Sequence, residues 1–260
     1  MKVLITGASS GIGREMACIL ASEYDEMVLV GRNGERLQAV AREIAAAHPA
    51  VKMQTVATDL SITENCLRLY EEHKGVDFLI NNAGFGDFGE FAETSVEKDL
   101  RMISTNVEAL HVLMKLYLKD MVKRDSGRIL NVASIAGFMP GPLMATYYAT
   151  KAYVVRLSEA VRKELKKKRS RVKISILCPG PVKTNFEKEA NIRFNFNGAD
   201  VKKIARYALA RRDRFYIVPT LPVKLSRFFL KILPSPLIAS VIYAAQNGRK
   251  GPSPDKRNTR

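Results

Sequence analysis

The chain has 260 residues, 47% of them hydrophobic, and its 42 Lys and Arg outnumber 26 Asp and Glu for a formal charge of +16. That apolar share is enough for one large α/β core and excludes a disordered polyelectrolyte, while the charge calls for an anionic partner without choosing among nucleic acid, membrane surface and phosphorylated ligand. Cys18, Cys66 and Cys178 lie far apart without CxxC spacing, and His48, His73 and His111 lack ligand spacing, so neither a disulfide scaffold nor a metal site is expected.

Met1 runs straight into the strand-like KVLITG, which leaves no room for a secretory signal; a cytoplasmic protein is expected. Strand patterns follow in order at 2–7, 26–31, 51–59, 77–84, 127–134, 172–180 and 214–219, with helical patterns between most of them, for instance over 35–47 and 103–124. Continuous Val/Ile/Leu runs separated by helices predict a parallel sheet covered on both faces, a doubly wound Rossmann fold in a single domain over 1–220. Ligands of such sheets bind at the carboxyl ends of the strands, so each motif is weighed by whether it falls there.

The first motif does. TGASSGIG follows the first strand and opens a helix, with Gly7, Gly11 and Gly13 where the backbone turns tightly and Ser9, Ser10 and Ile12 between them. Such a turn suits a pyrophosphate at a helix N-terminus, although its spacing is not G-x-G-x-x-G and glycines also serve ordinary turns. After the second strand, where an NAD site carries an acid, stand Gly31 and Arg32. A guanidinium suits a ribose 2′-phosphate, so NADP(H) is the expected cofactor. Asp59, followed by Leu60, closes the third strand and suits either an adenine amino group or a capping role ahead of Ser61.

In TYYATK, Tyr147 and Lys151 stand i, i+4 on one helical face, and Tyr148 stands i+3 from the same lysine. An ammonium there favours a phenolate and lowers the tyrosine pKa; geometry alone leaves both tyrosines open. Taken together, TGASSGIG at 6–13, NNAG at 81–84, STNV at 104–107, NVAS at 131–134, YYATK at 147–151 and CPGPVKT at 178–184 resemble the short-chain dehydrogenase/reductase family, in its order and spacing. The resemblance implies a sheet of order 3-2-1-4-5-6-7 and assigns Tyr147 as the acid of carbonyl reduction. It likewise implies that Lys151 tunes that tyrosine and holds the nicotinamide ribose, Ser134 polarises the substrate oxygen and Asn106 holds a relay water. Asn82, Ala83 and Gly84, with Pro179, Gly180, Val182 and Thr184, then line the cofactor cleft. It also implies a homodimer or homotetramer, joined through the helices bearing the asparagine and the tyrosine. The expected substrate is an apolar ketone, 3-oxoacyl group or hydroxysteroid-like molecule. A non-catalytic NADP(H) sensor or a membrane-docked interaction protein is the alternative, against which the complete tetrad argues.

Beyond the motifs, residues 183–199 resemble the family's substrate lid, where Phe186, Phe194 and Phe196 suit either substrate contact or lid packing. In LPVKLSRFFLKIL the apolar residues recur at helical spacing with Lys224, Arg227 and Lys231 opposite. The extension over 221–247 is too short in its apolar run to span a bilayer, and peripheral membrane contact over 221–245, a channel cap and an oligomer contact all fit it. Residues 248–260 read as a mobile basic tail. The KKKRSR run at 166–171 has no aromatic interleaving and reads as a solvated helix end suited to the dipole, so no nucleic-acid partner is expected.

Overall fold

The computed structural model describes residues 1–182, 186, 190, 199–220 and 233–247. Its seven strands are β1 (Lys2–Thr6), β2 (Glu26–Gly31), β3 (Lys52–Ala57), β4 (Phe78–Asn81), β5 (Arg128–Val132), β6 (Lys173–Leu177) and β7 (Tyr216–Ile217). All pair in parallel in the order β3-β2-β1-β4-β5-β6-β7, as expected. Most end a residue or more before the sequence pattern does, because the residues after them leave the ladder to line a cleft.

Both faces of the sheet are covered, which is why β1, β2 and β4 read as unbroken apolar runs rather than alternating ones. Alternate residues point to opposite sides. Leu4, Val28, Leu79 and Ile129 meet helices α3 (Thr63–Glu72), α5 (Leu110–Lys123) and α6 (Ala145–Lys167). Val3, Ile5, Met27, Leu29 and Ile80 meet α1 (Gly11–Leu20), α2 (Gly34–Ala47) and α7 (Val201–Ala210). Asn33 caps α2 by accepting from Arg36 N at 2.8 Å, and Lys166 and Lys167 occupy the last turn of α6, where cations complement the helix dipole.

The expected helix over 103–124 is instead composite. Helix α4 (Val96–Ile103) passes through a π-turn at Ser104–Ala109 before continuing as α5. The i→i+5 ladder accommodates in effect one extra residue, and Asn106 lies within it. Toward the C-terminus, α8 (Ser235–Asn247) buries Ile238 and Gln246. Among the described residues no helix is long and apolar enough to cross a membrane. The basic amphipathic stretch 221–232, the tail 248–260, Thr184, Phe194 and Phe196 lie outside the described residues.

Candidate active site

At the carboxyl end of β1 the chain must reverse into α1 within a few residues. Gly7 and Gly11 take left-handed φ values of +65° and +57°, which a side chain disfavours. A Cβ on Gly13 would sit 2.4 Å from Gly7 O and 2.5 Å from Asn82 Nδ2, so the start of α1 is pressed against the turn. Asn82 fastens the turn to β4, its amide donating to Thr6 O at 3.0 Å and Gly7 O at 3.1 Å. Thr6 Oγ1 in turn accepts from the backbone N–H groups of Asn82 and Ala83, both at 3.0 Å.

This turn fits a dinucleotide. Ser10 precedes α1 in an extended conformation, its side chain caps no first-turn N–H, and no acidic residue lies in that turn. The N–H donors at the helix start, with the positive end of the dipole behind them, therefore suit a pyrophosphate. Ser9, Ser10, Gly11, Ile12, Gly31, Arg32, Asp59 and Leu60 border one side of the same cleft. The guanidinium of exposed Arg32 stands 5.9 Å from the Phe85 ring centre. Asp59 serves the local turn: its Oδ1 accepts from Ser61 N at 2.9 Å and Ser61 Oγ at 2.8 Å, while Oδ2 is 3.8 Å from Arg101. Burial would raise its pKa, but the Ser61 hydrogen bonds together with Arg101 and Arg32 hold it below the usual value. Ile62 occupies the N-cap position of helix α3 with no side-chain cap, so Asp59 closes the preceding turn and not the helix.

Four side chains from three parts of the fold converge farther along the cleft. Ser134, just past β5, accepts from Ala136 N at 3.2 Å and reaches Pro179 O at 3.4 Å. Tyr147 and Lys151 project from the first turns of α6. Lys151 Nζ is buried, donates to Val132 O at 3.0 Å and lies 5.8 Å from the Tyr147 ring centre. Asn106 is held rigidly: Oδ1 accepts from Phe85 N at 3.0 Å, and Nδ2 donates to Phe85 O at 2.8 Å and Thr150 Oγ1 at 3.1 Å. The Thr150 hydroxyl donates to Tyr147 O at 2.7 Å, which ties the π-turn to the tyrosine's own helix. A Cβ on Gly84 would meet Asn106 Oδ1 at 2.8 Å and Lys151 Nζ at 3.3 Å, so this glycine leaves space that the two side chains fill.

The electrostatics differ from the sequence expectation in one respect. Burial raises the Tyr147 pKa, the Ser134 hydrogen bond pulls it down, and neighbouring Tyr148 pushes it up again. Burial also lowers Lys151 to about 8, against a small upward pull from Cys178. Lys151 thus does not depress the tyrosine as i, i+4 spacing suggests; desolvation dominates both groups, and Tyr147 holds its proton firmly at neutral pH. A group that keeps its proton until charge develops beside it is suited to act as an acid.

The far end of the cleft is apolar. Met144, Tyr147, Tyr148 and Phe186 pack with Phe88 and Ala190, and the Phe186 ring lies 5.2 Å from that of Tyr147. Of Phe186, Phe194 and Phe196, Phe186 alone is described, and it faces the site. Pro179, Gly180 and Val182 border the cleft after β6, as do Ala83 and Gly84 after β4. Sequence reasoning passed over Thr6, Phe85 and Thr150, which hold the site together; Thr6 and Thr150 stand inside quoted motifs, whereas Phe85 follows NNAG with no signal of its own. Among the described residues no His/Cys/Asp/Glu group is arranged to hold a metal ion, and Cys18, Cys66 and Cys178 form no disulfide.

Comparison with known proteins agrees with this architecture. A family model described as short chain dehydrogenase matches residues 1–193. The very-long-chain 3-oxoacyl-CoA reductase of Mycosarcoma maydis is 39% identical over 193 residues, 71% of this chain and 54% of that one, so the chain spans about half of that relative's length. Among solved structures, a short-chain dehydrogenase from Sphingobium yanoikuyae in complex with NADPH superposes with a TM-score of 0.81 at 30% identity, covering 88% of this chain and 92% of that one. A short-chain dehydrogenase/reductase from Burkholderia phymatum in complex with NAD gives 0.77 at 27% identity, covering 87% and 91%. Strands β1 to β6, the glycine turn and the residues Ser134, Tyr147 and Lys151 all fall within the residues that the family model matches, and the chain belongs to the short-chain dehydrogenase/reductase family of oxidoreductases.

Proposed function

We propose that the protein reduces a carbonyl on an apolar substrate to a secondary alcohol with NADP(H), Tyr147 donating the proton. The observation that carries this reading is the convergence of Ser134, Tyr147 and Lys151 between the nucleotide-type turn and the apolar end of one cleft. The helix start at Gly11 would hold the pyrophosphate and Arg32 the 2′-phosphate, with Asp59 and Leu60 beside the adenine and Thr184 at the carboxamide. A reduced nicotinamide, when bound, supplies hydride to the carbonyl carbon.

The protein's own groups handle the oxygen. Ser134 Oγ donates to the substrate oxygen as negative charge grows there, and Tyr147 Oη transfers its proton to the same atom. Lys151, once its ammonium is beside the ribose hydroxyls, orients the sugar and offsets the phenolate left behind. Asn106, clamped by Phe85 and Thr150, positions a water through which the tyrosine is reprotonated. Met144, Tyr148 and Phe186 exclude bulk water from the reacting centre and favour an apolar substrate. The 3-oxoacyl specificity of the fungal relative makes 3-oxoacyl thioesters the first compounds to test beside simple ketones.

The exposed apolar row Val96, Leu100 and Ile103 on α4, with Tyr153 on α6, fits self-association through these helices. Light scattering should find a dimer or tetramer, and a monomer at micromolar concentration would count against that contact. Cysteines kept as thiols outside any disulfide suit a cytoplasmic setting, which cell fractionation checks. For the reaction itself, NADPH oxidation over apolar ketones and 3-oxoacyl thioesters is the test, with Tyr147→Phe as the paired variant. Loss of about three orders of magnitude in kcat with nucleotide affinity kept supports the reading. Turnover undiminished in Tyr147→Phe refutes the assignment of the acid.

A further inference from the structure

The second tyrosine of the pair has no part in the proton transfer proposed above, yet it is the more elaborately held of the two. Its ring lies where a Cβ on Gly141 would come within 2.0 Å of Tyr148 Cγ, so Gly141 is needed for the ring to lie flat on the backbone. It meets Tyr147 edge-on, ring centres 6.1 Å apart and planes at 77°, and borders the cleft beside Met144 and Phe186. Its hydroxyl accepts from Gln246 Nε2 at 3.0 Å, across 98 residues of sequence.

Gln246 is an expensive way to attach a helix. It is 1% exposed, and its Oε1 has no hydrogen-bond partner among the described residues. Leaving a buried amide oxygen unmatched costs about 1–3 kcal/mol, whereas a leucine at the same place would add apolar burial. Helix α8 otherwise buries only Ile238, while Leu237, Val241 and Tyr243 face outward. Adhesion of α8 therefore does not account for an amide at this position; a fixed direction for the Tyr148 hydroxyl does.

We propose that Gln246 is a specificity-determining positioning residue: through the Tyr148 hydroxyl it fixes that ring as the wall against which an extended apolar substrate is held, with its carbonyl beside Tyr147. This inference rests on the carbonyl-reductase reading. Its logic is geometric. A ring pinned on both sides, by Gly141 beneath and by Gln246 at the hydroxyl, loses the rotamer freedom that would otherwise be given up on substrate binding. A compact ketone, reaching only Tyr147 and Ser134, does not use that wall.

The experiment compares wild type, Gln246→Leu, Tyr148→Phe and the double variant, each with cyclohexanone and a long-chain methyl ketone, measuring KM and kcat separately. The expected result is a rise of about tenfold in KM for the long ketone in either single variant and no further rise in the double variant, with KM for NADPH and kcat for cyclohexanone unchanged in Gln246→Leu. Val241→Ser, on the outward side of α8, should leave every parameter unchanged. Equal losses on both ketones, additive effects in the double variant, or no effect in Tyr148→Phe, which keeps the ring and removes only the hydroxyl, overturn the role of Gln246 while the reductase reading stands. A wild type that binds NADPH but reduces neither ketone nor any 3-oxoacyl thioester overturns both.

Discussion

Replacing Lys151 with methionine should make the protein more stable and less active. Burial lowers its ammonium from 10.5 to about 8, a gap that corresponds to roughly 3 kcal/mol by which the charged form opposes folding. The direction follows from proton counting. Between pH 8 and 10.5 the unfolded chain binds the proton that the folded chain has released, so stability rises with pH through this window and the cost is present in full below it. Methionine has similar length and no charge, and removing the ammonium leaves Val132 O without its 3.0 Å donor, which returns about 1 kcal/mol. The variant should therefore gain roughly 2 kcal/mol at pH 7, measured by urea unfolding without nucleotide, and the advantage should vanish as pH passes through the window. In the same variant NADPH oxidation should fall steeply, because no cation remains to orient the ribose. A variant no more stable than wild type at pH 7, or an advantage that does not shrink from pH 8 to 10.5, would refute the placement of a desolvated ammonium at the centre of the site.

Gly84→Ala places a methyl group 2.8 Å from Asn106 Oδ1 and 3.3 Å from Lys151 Nζ. One of these must move, so kcat/KM should drop by about tenfold or more while the fold loses only about 1–3 kcal/mol; unaltered kinetics would show that the contact is not tight. Arg32→Asp exchanges a phosphate-binding fork for a carboxylate that repels a 2′-phosphate, and fluorescence titration should find NADPH weakened by about tenfold or more with NADH binding maintained. An unchanged ratio of the two affinities would move the cofactor preference to another residue.

The sheet was legible because burial on both faces writes itself as unbroken runs: VLIT, MVLV and FLIN needed only a length and a turn signal to be read as parallel strands. Gly7 and Gly11 were likewise legible, since the positive φ that each requires selects the residue. The π-turn around Asn106 was not, as an i→i+5 ladder has no periodic signature of its own and the flanking residues read equally well as α-helix. Spacing put Tyr147 and Lys151 on one face but gave the wrong direction for the tyrosine pKa, because desolvation depends on neighbours brought by β5, β6 and the Phe186 region. Nor did any local pattern point from Tyr148 to Gln246, a contact that exists only once α8 has folded back.

The π-turn also sets a rotational phase. Each residue of an α-helix advances the side-chain direction by about 100°, so the extra residue at Ser104–Ala109 turns α4 about its axis relative to α5 by roughly that amount. With the turn present, Val96, Leu100 and Ile103 point to solvent while Met102 is buried and Asn106 points inward. A one-residue deletion between Ser104 and Ala109 would restore an unbroken α-helix and bring both ends into a single register. The outward apolar row and the inward asparagine would then no longer be available together, so insertions and deletions here act on surface and interior at once, although neither α4 nor α5 changes in sequence.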